Sequence, residues 1–126
     1  MSKSVVYSDQ APEPIGPYSQ AVQSGNILFV SGQIALQRST GAMITTNIEE
    51  ETKQVMANIK AVLTAAGMDF AHVVKTSIFL KDMNNFPIVN QVYGTFFTET
   101  PPARETVEVS RLPKDANVEI SCIAVK

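Results

Sequence analysis

Residues 48–66, IEEETKQVMANIKAVLTAA, carry the strongest periodicity in this sequence. Their apolar side chains recur at the spacing of an α-helix, so one face of the helix is expected to be buried. Gly67 follows directly and is a natural C-terminal stop. The rest of the chain must supply the surface on which this helix packs. The predicted apolar face consists of Ile48, Val55, Met56, Ile59, Val62, Leu63 and Ala66.

The start of this helix is marked by capping residues and by charge. Thr46 with Glu49, or Asn47 with Glu50, offers a capping box. Glu49, Glu50 and Glu51 lie in the first turn, where the helix dipole favours negative charge. We interpret this acidic run as a solvated helix start, which is the usual meaning of a charge run.

Short β-branched segments precede the helix. Val5 and Val6 begin a strand candidate, and the proline-rich segment Ala11–Tyr18 must be a loop because three prolines remove backbone donors. The segments Ser19–Ser24 and Ile27–Ser31 are predicted strands. Gly25 and Asn26 between them are a turn signal, so these two strands are predicted to form a hairpin.

A strand and a second helix follow the first helix. Val73–Lys81 is short and β-branched, which favours a strand. Asn84 and Asn85 are expected to cap a helix that runs from Phe86 to about Phe97. Pro87 fits its first turn, where a missing N–H costs nothing.

Two more strands complete the predicted order, which is β-β-β-α-β-α-β-β. They are Ala103–Ser110 and Val118–Val125, and the turn at 112–115 between them predicts a hairpin-like pair. This order predicts an α+β fold, with two layers and both helices on one face of a mixed sheet. No further helix is available for the other face, so a second subunit is the expected cover.

The composition bounds the class of protein. The chain has 126 residues, so we expect one domain over residues 1–126. A single cysteine, Cys122, excludes an intrachain disulfide framework and is expected to be buried and inert. Charged residues make up 17% of the chain, below the roughly 25% of an average soluble domain. This low share also suggests that another subunit covers part of the surface.

Several kinds of site and partner are excluded by what the sequence lacks. The net charge is −2 without a basic stripe, which argues against nucleic-acid binding. The longest apolar runs have four residues, too few for a membrane span, and the acidic, proline-rich N-terminus does not resemble a signal peptide. We therefore expect a cytoplasmic protein. One histidine, His72, and one cysteine cannot form a zinc site, and no phosphate-binding glycine motif is present, so we expect no metal site and no nucleotide cofactor.

Arg104 and Glu119 are the residues whose chemistry stands out. In the predicted hairpin they lie on adjacent strands, where they could form a surface ion pair of little energetic value. The functional alternative is a carboxylate-binding arginine beside a general acid–base glutamate. Arginine suits a carboxylate because its fork makes two parallel charge-assisted hydrogen bonds.

Five blocks of the sequence together resemble the RidA (YjgF) family of reactive-intermediate deaminases. The resemblance extends over essentially the whole chain, and it favours the functional interpretation of Arg104 and Glu119. The blocks are IGPYSQ (15–20), FVSGQ (29–33), NIKAVLTAAG (58–67), PAR (102–104) and VSRLPKDANVEI (109–120).

The resemblance implies a fold, an assembly and an activity. It implies a chorismate-mutase-like fold that assembles as a homotrimer, with ligand clefts between subunits. The implied activity is hydrolysis of reactive 2-imino acids and their enamine tautomers to 2-keto acids and ammonia, without a metal or organic cofactor. The implied substrates are 2-iminobutanoate and 2-iminopropanoate, the latter with its tautomer 2-aminoacrylate.

The resemblance also implies roles for individual residues. Arg104 is similar to the family's carboxylate-binding arginine, and Glu119 resembles the acidic residue that orients water and relays protons. Tyr18 and Ser31 look like the residues that flank the imine and its water. The remaining expected ligand contacts come from Gly32, Thr106 and Asn90, the last on the second helix.

Two positions depart from the family pattern, and two other functions stay open. Thr106 stands where a cysteine is common, so thiol chemistry is not expected there. Glu105 replaces a small residue, and strand alternation should direct it away from Arg104. One alternative function is binding of a small carboxylate without turnover, as in a regulatory protein. The other is RNA cleavage or translational inhibition, which the acidic charge and the absence of clustered basic residues disfavour.

Overall fold

The computed structural model describes residues 2–126 and has the predicted order of strands and helices. Three short 3-10 turns, Phe70–His72, Met83–Asn85 and Pro113–Asp115, connect the larger elements. The fold is a mixed α+β fold, as expected. The strands are β1 (Lys3–Val6), β2 (Ala21–Ser24), β3 (Ile27–Gln33), β4 (Val73–Leu80), β5 (Ala103–Glu108) and β6 (Val118–Val125), and the helices are α1 (Ile48–Ala65) and α2 (Phe86–Gly94).

The described strands form one sheet in the order β1-β2-β3-β6-β4-β5. All neighbours are antiparallel except β4 and β5, which are parallel. The β2–β3 hairpin is confirmed. The predicted β5–β6 pair is wrong, because β4 lies between these two strands. A parallel β4–β5 pair requires a crossover connection, and α2 supplies it.

The core lies between the sheet and the two helices. Alternate residues of β6 are buried on this side, including Ile120, and they pack with Leu28, Ile78 and the apolar face of α1. Each fully buried aliphatic side chain of this kind stabilises the fold by about 1.5–3 kcal/mol. Cys122 belongs to the same core, and burial raises the pKa of its thiol to about 12. The expectation of an inert cysteine is therefore confirmed.

The ends of the two helices agree only in part with the sequence prediction. Asn47 caps α1 by accepting a hydrogen bond from the Glu50 N–H at 2.8 Å, and Gly67 beyond its end has a φ of 72°. In contrast, Asn85 makes no side-chain cap for α2, which ends at Gly94 rather than near Phe97. Past Gly94 the chain turns, so that Phe97 and its neighbour pack around the Phe70 ring.

The acidic run at the start of α1 is not uniformly solvated. Glu49 and Glu50 are exposed and pair with Lys53 at 3.2 and 3.4 Å. Glu51 is only 1% exposed, and both of its carboxylate oxygens accept hydrogen bonds from Asn117 at 2.8 Å. The interpretation as a solvated helix start is therefore wrong for Glu51. Its position at the edge of the apolar face turns its side chain toward the protein interior.

The other face of the sheet, which we call the open face, is not covered by either described helix. It exposes large apolar side chains, among them Val5, Phe29 and Val107, which are 65%, 47% and 40% exposed. Glu105 lies on this face, where it pairs with Lys75 at 2.9 Å and accepts a hydrogen bond from the Ser77 hydroxyl. Arg104 points to the helix side, so the predicted divergence of the two neighbours is confirmed.

Neither described helix combines the length and the apolar character needed to cross a membrane.

Candidate functional site

Four of the predicted site residues line one cleft of about 580 Å³. Glu119 comes from the start of β6, Ser31 and Gly32 come from the end of β3, and Tyr18 comes from the loop before β2. Lys114, in the turn before β6, also lines this cleft. We call this the Glu119 cleft, and it contains the expected acid–base residue together with its expected neighbours.

An irregularity in the sheet creates close contact between β3 and Glu119. The register of the β3–β6 pair shifts between Val30 and Gln33, which places an extra residue on β3 at the Ser31–Gly32 step. Such bulges re-aim side chains and occur often beside active sites. A Cβ atom on Gly32 would lie 2.5 Å from Oε2 and 2.8 Å from Cδ of Glu119. Only glycine lets the carboxylate lie against the backbone here.

Glu119 is half-buried, and its carboxylate is unpaired in the described part of the chain. Among residues 2–126 no hydrogen bond or ion pair reaches its carboxylate. Burial raises the pKa of this carboxyl group above its ordinary value, because desolvation disfavours the charged form. A carboxylate with free lone pairs and a raised pKa is suited to accept and return a proton.

Ser31 and Tyr18 are held by backbone contacts of the same cleft. The Ser31 hydroxyl donates to the Ser19 carbonyl at 2.6 Å, and the Ser31 N–H donates to the Gln20 carbonyl at 2.9 Å. Tyr18 is 53% exposed, and its hydroxyl accepts a long 3.5 Å hydrogen bond from the Ile15 N–H. The phenol therefore stays accessible to a ligand in the cleft.

Gln20 is a structural residue of the cleft, and the sequence alone indicates no role for it. Its buried amide accepts from the Ser8 N–H at 2.6 Å and donates to the carbonyls of Ser8, Ala11 and Pro12. These bonds hold the N-terminal loop that forms one wall of the cleft. The only signal for this role in the sequence is an amide side chain at the entrance of a strand.

Arg104 and Asn90 line a different cavity, of about 420 Å³, beside α2. Nη1 of Arg104 donates to Oδ1 of Asn90 at 2.8 Å. The guanidinium also lies 5.4 Å from the centre of the Phe86 ring and 5.1 Å from that of Tyr93. Stacking on two rings fixes the plane of the fork, and the other donors have no partner among residues 2–126. The arginine is therefore oriented and still able to bind an anion.

Thr106 lies on the same side of β5 as Arg104, and its hydroxyl group has an unmet hydrogen-bonding capacity within residues 2–126. Its hydroxyl oxygen is buried and has no hydrogen-bond partner among residues 2–126. A buried unsatisfied hydroxyl costs roughly 1–3 kcal/mol. The Thr106 hydroxyl therefore makes no stabilising hydrogen bond within residues 2–126.

The Arg104 cavity and the Glu119 cleft are separate. Arg104 points to the helix side of the sheet and Glu119 points to the open face, with β4 between their strands. Neither the surface ion pair nor the adjacent acid–base pair predicted for one chain is formed. The structure brings together four predicted site residues in the Glu119 cleft, namely Tyr18, Ser31, Gly32 and Glu119. The other three, Arg104, Asn90 and Thr106, lie outside this cleft.

The remaining chemical candidates have structural roles. The His72 ring nitrogen Nδ1 accepts a hydrogen bond from the Asp69 N–H at 3.0 Å, in a reciprocal cap of a 3-10 turn. The expectation of a structural histidine is thus confirmed. Within residues 2–126 no three His, Cys, Asp or Glu side chains converge to hold a metal ion.

Comparison with known proteins identifies the relatives of this chain. The family model described as Endoribonuclease L-PSP matches residues 8–126. The chain belongs to this family, the RutC/YjgF/RidA family. The resemblance inferred from the sequence blocks is therefore confirmed.

Members of the RutC/YjgF/RidA family match the chain over nearly its whole length. A RutC family protein of Pyrococcus horikoshii is 51% identical over 124 residues, which are 98% of each chain. A 2-iminobutanoate/2-iminopropanoate deaminase of Dermatophagoides farinae is 47% identical over 98% of this chain and 96% of its own. The crystal structure of E. coli TdcF with bound serine has a TM-score of 0.93 at 38% identity, with 98% of each chain covered. Some relatives are thus named as imine deaminases, whereas others carry only the family name.

Proposed function

We propose that this protein hydrolyses 2-imino acids and their enamine tautomers, such as 2-iminobutanoate and 2-iminopropanoate/2-aminoacrylate, to 2-keto acids and ammonia. The observation that carries the proposal is the Glu119 carboxylate, which is half-buried, unpaired and packed against Gly32 in a cleft with Ser31 and Tyr18. The deaminase name of several relatives supports the same reaction class. The expected compartment is the cytoplasm.

The proposed reaction moves protons in three steps and starts from the protonated imine. Glu119 takes a proton from water as the water oxygen attacks the imine carbon, which gives a neutral carbinolamine. Glu119 then gives this proton to the carbinolamine nitrogen. The C–N bond breaks and ammonia leaves as Glu119 takes the proton of the carbinolamine hydroxyl, which becomes the keto-acid carbonyl, and the proton on Glu119 passes to the released ammonia. General acid–base groups contribute about 10²–10⁴-fold to such steps. Because protonated imines already react with water, the mechanism requires no metal or organic cofactor.

We further propose that the substrate carboxylate is bound by the partner subunit's Arg104. Within one chain Arg104 and Glu119 face opposite sides of the sheet, so one copy cannot direct both at a small molecule. A homotrimer with chorismate-mutase-like subunits and clefts between them would unite the Glu119 cleft of one copy with the Arg104 cavity of the next. The exposed apolar side chains of the open face support this assembly.

Binding without turnover is the second candidate function. It is favoured by the related TdcF structure, which contains bound serine. An arginine alone suffices to capture a carboxylate, whereas turnover also requires the base. RNA cleavage, suggested by the family description, is supported less well, because His72 is used as a helix cap and the cleft centres on a carboxylate.

A coupled assay tests the proposed function directly. An amino-acid oxidase or a threonine dehydratase generates the imine in the presence of semicarbazide, which traps it. Added protein should lower the yield of the semicarbazone and raise the rate of keto-acid release. An unchanged trapping rate at saturating protein would reject hydrolysis and leave the binding function.

A further inference from the structure

We propose that Glu51 is a positioning residue that fixes Glu119, through Asn117, in the place required for proton transfer. The inference rests on the proposed imine hydrolysis, in which Glu119 is the acid–base group. Glu51 comes from α1 and does not line the Glu119 cleft, so it can act only through the segment between them.

The contact between Glu51 and Asn117 is a two-point clamp. Oε2 of Glu51 accepts from the Asn117 backbone N–H, and Oε1 accepts from the Asn117 side-chain amide, both at 2.8 Å. Glu51 is 1% exposed, and no cation pairs with it among residues 2–126. Burying a carboxylate is costly unless it is hydrogen-bonded, and a packed apolar pair would often stabilise a fold equally well. A buried carboxylate that accepts two hydrogen bonds from Asn117 holds this residue in one orientation.

The clamp acts at the point where β6 begins. Asn117 immediately precedes Val118, and its carbonyl accepts a hydrogen bond from the Lys81 N–H at 3.1 Å. Asn117 is thus held from α1 on one side and from the end of β4 on the other. Glu119 follows two residues later, so the clamp sets the position from which its side chain enters the cleft.

Glu119 has little tolerance for displacement. Its carboxylate lies so close to the Gly32 Cα that a single added methyl group would overlap with it. A shift toward Gly32 would press the carboxylate against the backbone, and a shift away from Gly32 would move the carboxylate toward solvent. The remaining charged groups of the cleft are Lys114 and Glu13, and Glu13 is paired with Arg38 at 3.1 Å. The close contact with Gly32 therefore ties the Glu119 carboxylate to one position.

The test compares Glu51→Gln with Glu50→Gln. Glu50 lies in the same helical turn but is exposed, so its variant is a matched control for the change in charge. For Glu51→Gln we expect kcat on the trapped imine to fall by about tenfold, as for a catalytic group displaced by a fraction of an ångström, while KM stays within about twofold. We also expect the pKa of Glu119 to fall toward its ordinary value, because the carboxylate becomes more solvated. Glu50→Gln should retain the wild-type kcat, the wild-type KM and the wild-type pKa of Glu119.

A second readout separates this inference from the proposed function. The Glu119 carboxyl group is titrated by carbon-13 NMR in wild type and both variants, which needs no turnover. A wild-type protein that does not hydrolyse imines overturns the proposed function, and the titration still tests the clamp. An unchanged Glu119 titration with unchanged kcat in Glu51→Gln overturns the inference, whatever happens to stability.

A milder variant covers the case in which Glu51→Gln does not fold. Asn117→Ala removes the side-chain donor but keeps the backbone N–H that bonds Oε2 of Glu51. We expect kcat and the pKa of Glu119 to fall in this variant as well, each by less than in Glu51→Gln. If Asn117→Ala lowers only the free energy of unfolding and leaves kcat and the Glu119 pKa as they are, the clamp is structural and the inference is wrong.

Discussion

Arg104 and Glu119 point to opposite faces of the sheet, and β4 separates the strands that carry them. Arg104 is oriented by Asn90 and two aromatic rings, and Glu119 is oriented by Gly32. Each residue is well placed for one half of the proposed reaction, and neither reaches the other. The proposed function therefore requires Arg104 from a second copy of the chain, which makes assembly the first matter to test.

The assembly prediction concerns the open face. We expect sedimentation equilibrium at micromolar concentration to give three times the 13.7 kDa chain mass. Phe29→Asp should dissociate the assembly, because a charge on the open face would be buried unpaired when the copies associate, which is costly. Ile88→Asp is the matched control, since Ile88 is 42% exposed but lies on α2. A wild-type monomer would contradict both the trimer and the shared cleft.

Changing Arg104 tests the binding of the carboxylate. Arg104→Ala should reduce imine hydrolysis by about ten- to hundredfold or more, the equivalent of a charge-assisted hydrogen bond worth roughly 1.5–3 kcal/mol. Its circular dichroism should match that of wild type, because the side chain is exposed. Arg104→Lys should restore little activity, since an ammonium lacks the two-pronged fork. Near-full activity of the lysine variant would disprove two-pronged binding.

Glu119→Gln separates an enzyme from a binding protein. The change keeps the size of the side chain and removes the base, so turnover should fall at least about tenfold. The affinity for a stable keto-acid analogue, measured by calorimetry, should change much less, because Arg104 still binds its carboxylate. Equal losses of both would show that Glu119 only supports the cleft.

The pH dependence follows from the burial of Glu119. Since its pKa is raised above the ordinary 4.5, the rate should fall with decreasing pH through a value higher than 4.5. A raised pKa also means that this group favours the folded state at low pH and that this contribution is lost as the pH rises through the raised value. Glu119→Gln should therefore unfold at higher denaturant concentration than wild type at pH 7, with the difference disappearing near pH 4. A rate profile that is flat down to pH 4 would contradict the role of Glu119 as base.

Gly32→Ala tests the contact that places Glu119. The added methyl group would lie 2.5 Å from Oε2 of Glu119, so the carboxylate must move and turnover should drop by about tenfold or more. In a Glu119→Gln background the same change should have a much smaller effect, because the group on which it acts is already gone. Additive losses would show that Gly32 acts independently of Glu119.

The sequence predicts the elements of this fold better than their arrangement. Periodicity placed α1 within one residue of its observed end and placed β6 correctly, because both patterns reflect burial on one side. The β5–β6 pair is predicted wrongly, since a short connection between β5 and β6 indicates a hairpin on local evidence. The crossover through α2 determines that β5 pairs with β4, and this pairing is a property of the whole sheet.

For the candidate site, too, the sequence predicts individual residues better than their arrangement. Glu119, Ser31 and Gly32 lie together because two neighbouring strands carry them, as the sequence blocks suggested. The burial of Glu51 and its contact with Asn117 could not be predicted, because one acidic residue in a run of three differs from the others only by the direction of its side chain. Only the adjacency of Arg104 and Glu119 within one chain is predicted wrongly, because β4 lies between β5 and β6, and the roles of the two residues stay predictions.

The central place of β6 also has a consequence for biosynthesis. Residues 118–125 supply the only hydrogen-bonded link between the β1-β2-β3 part and the β4-β5 part of the described sheet. Until these residues leave the ribosome, β3 and β4 each present an unpaired edge, and such edges are prone to intermolecular pairing. We therefore expect the sheet to close only after residues 118–125 have left the ribosome, and a nascent chain that lacks them to expose the β3 and β4 edges to other chains.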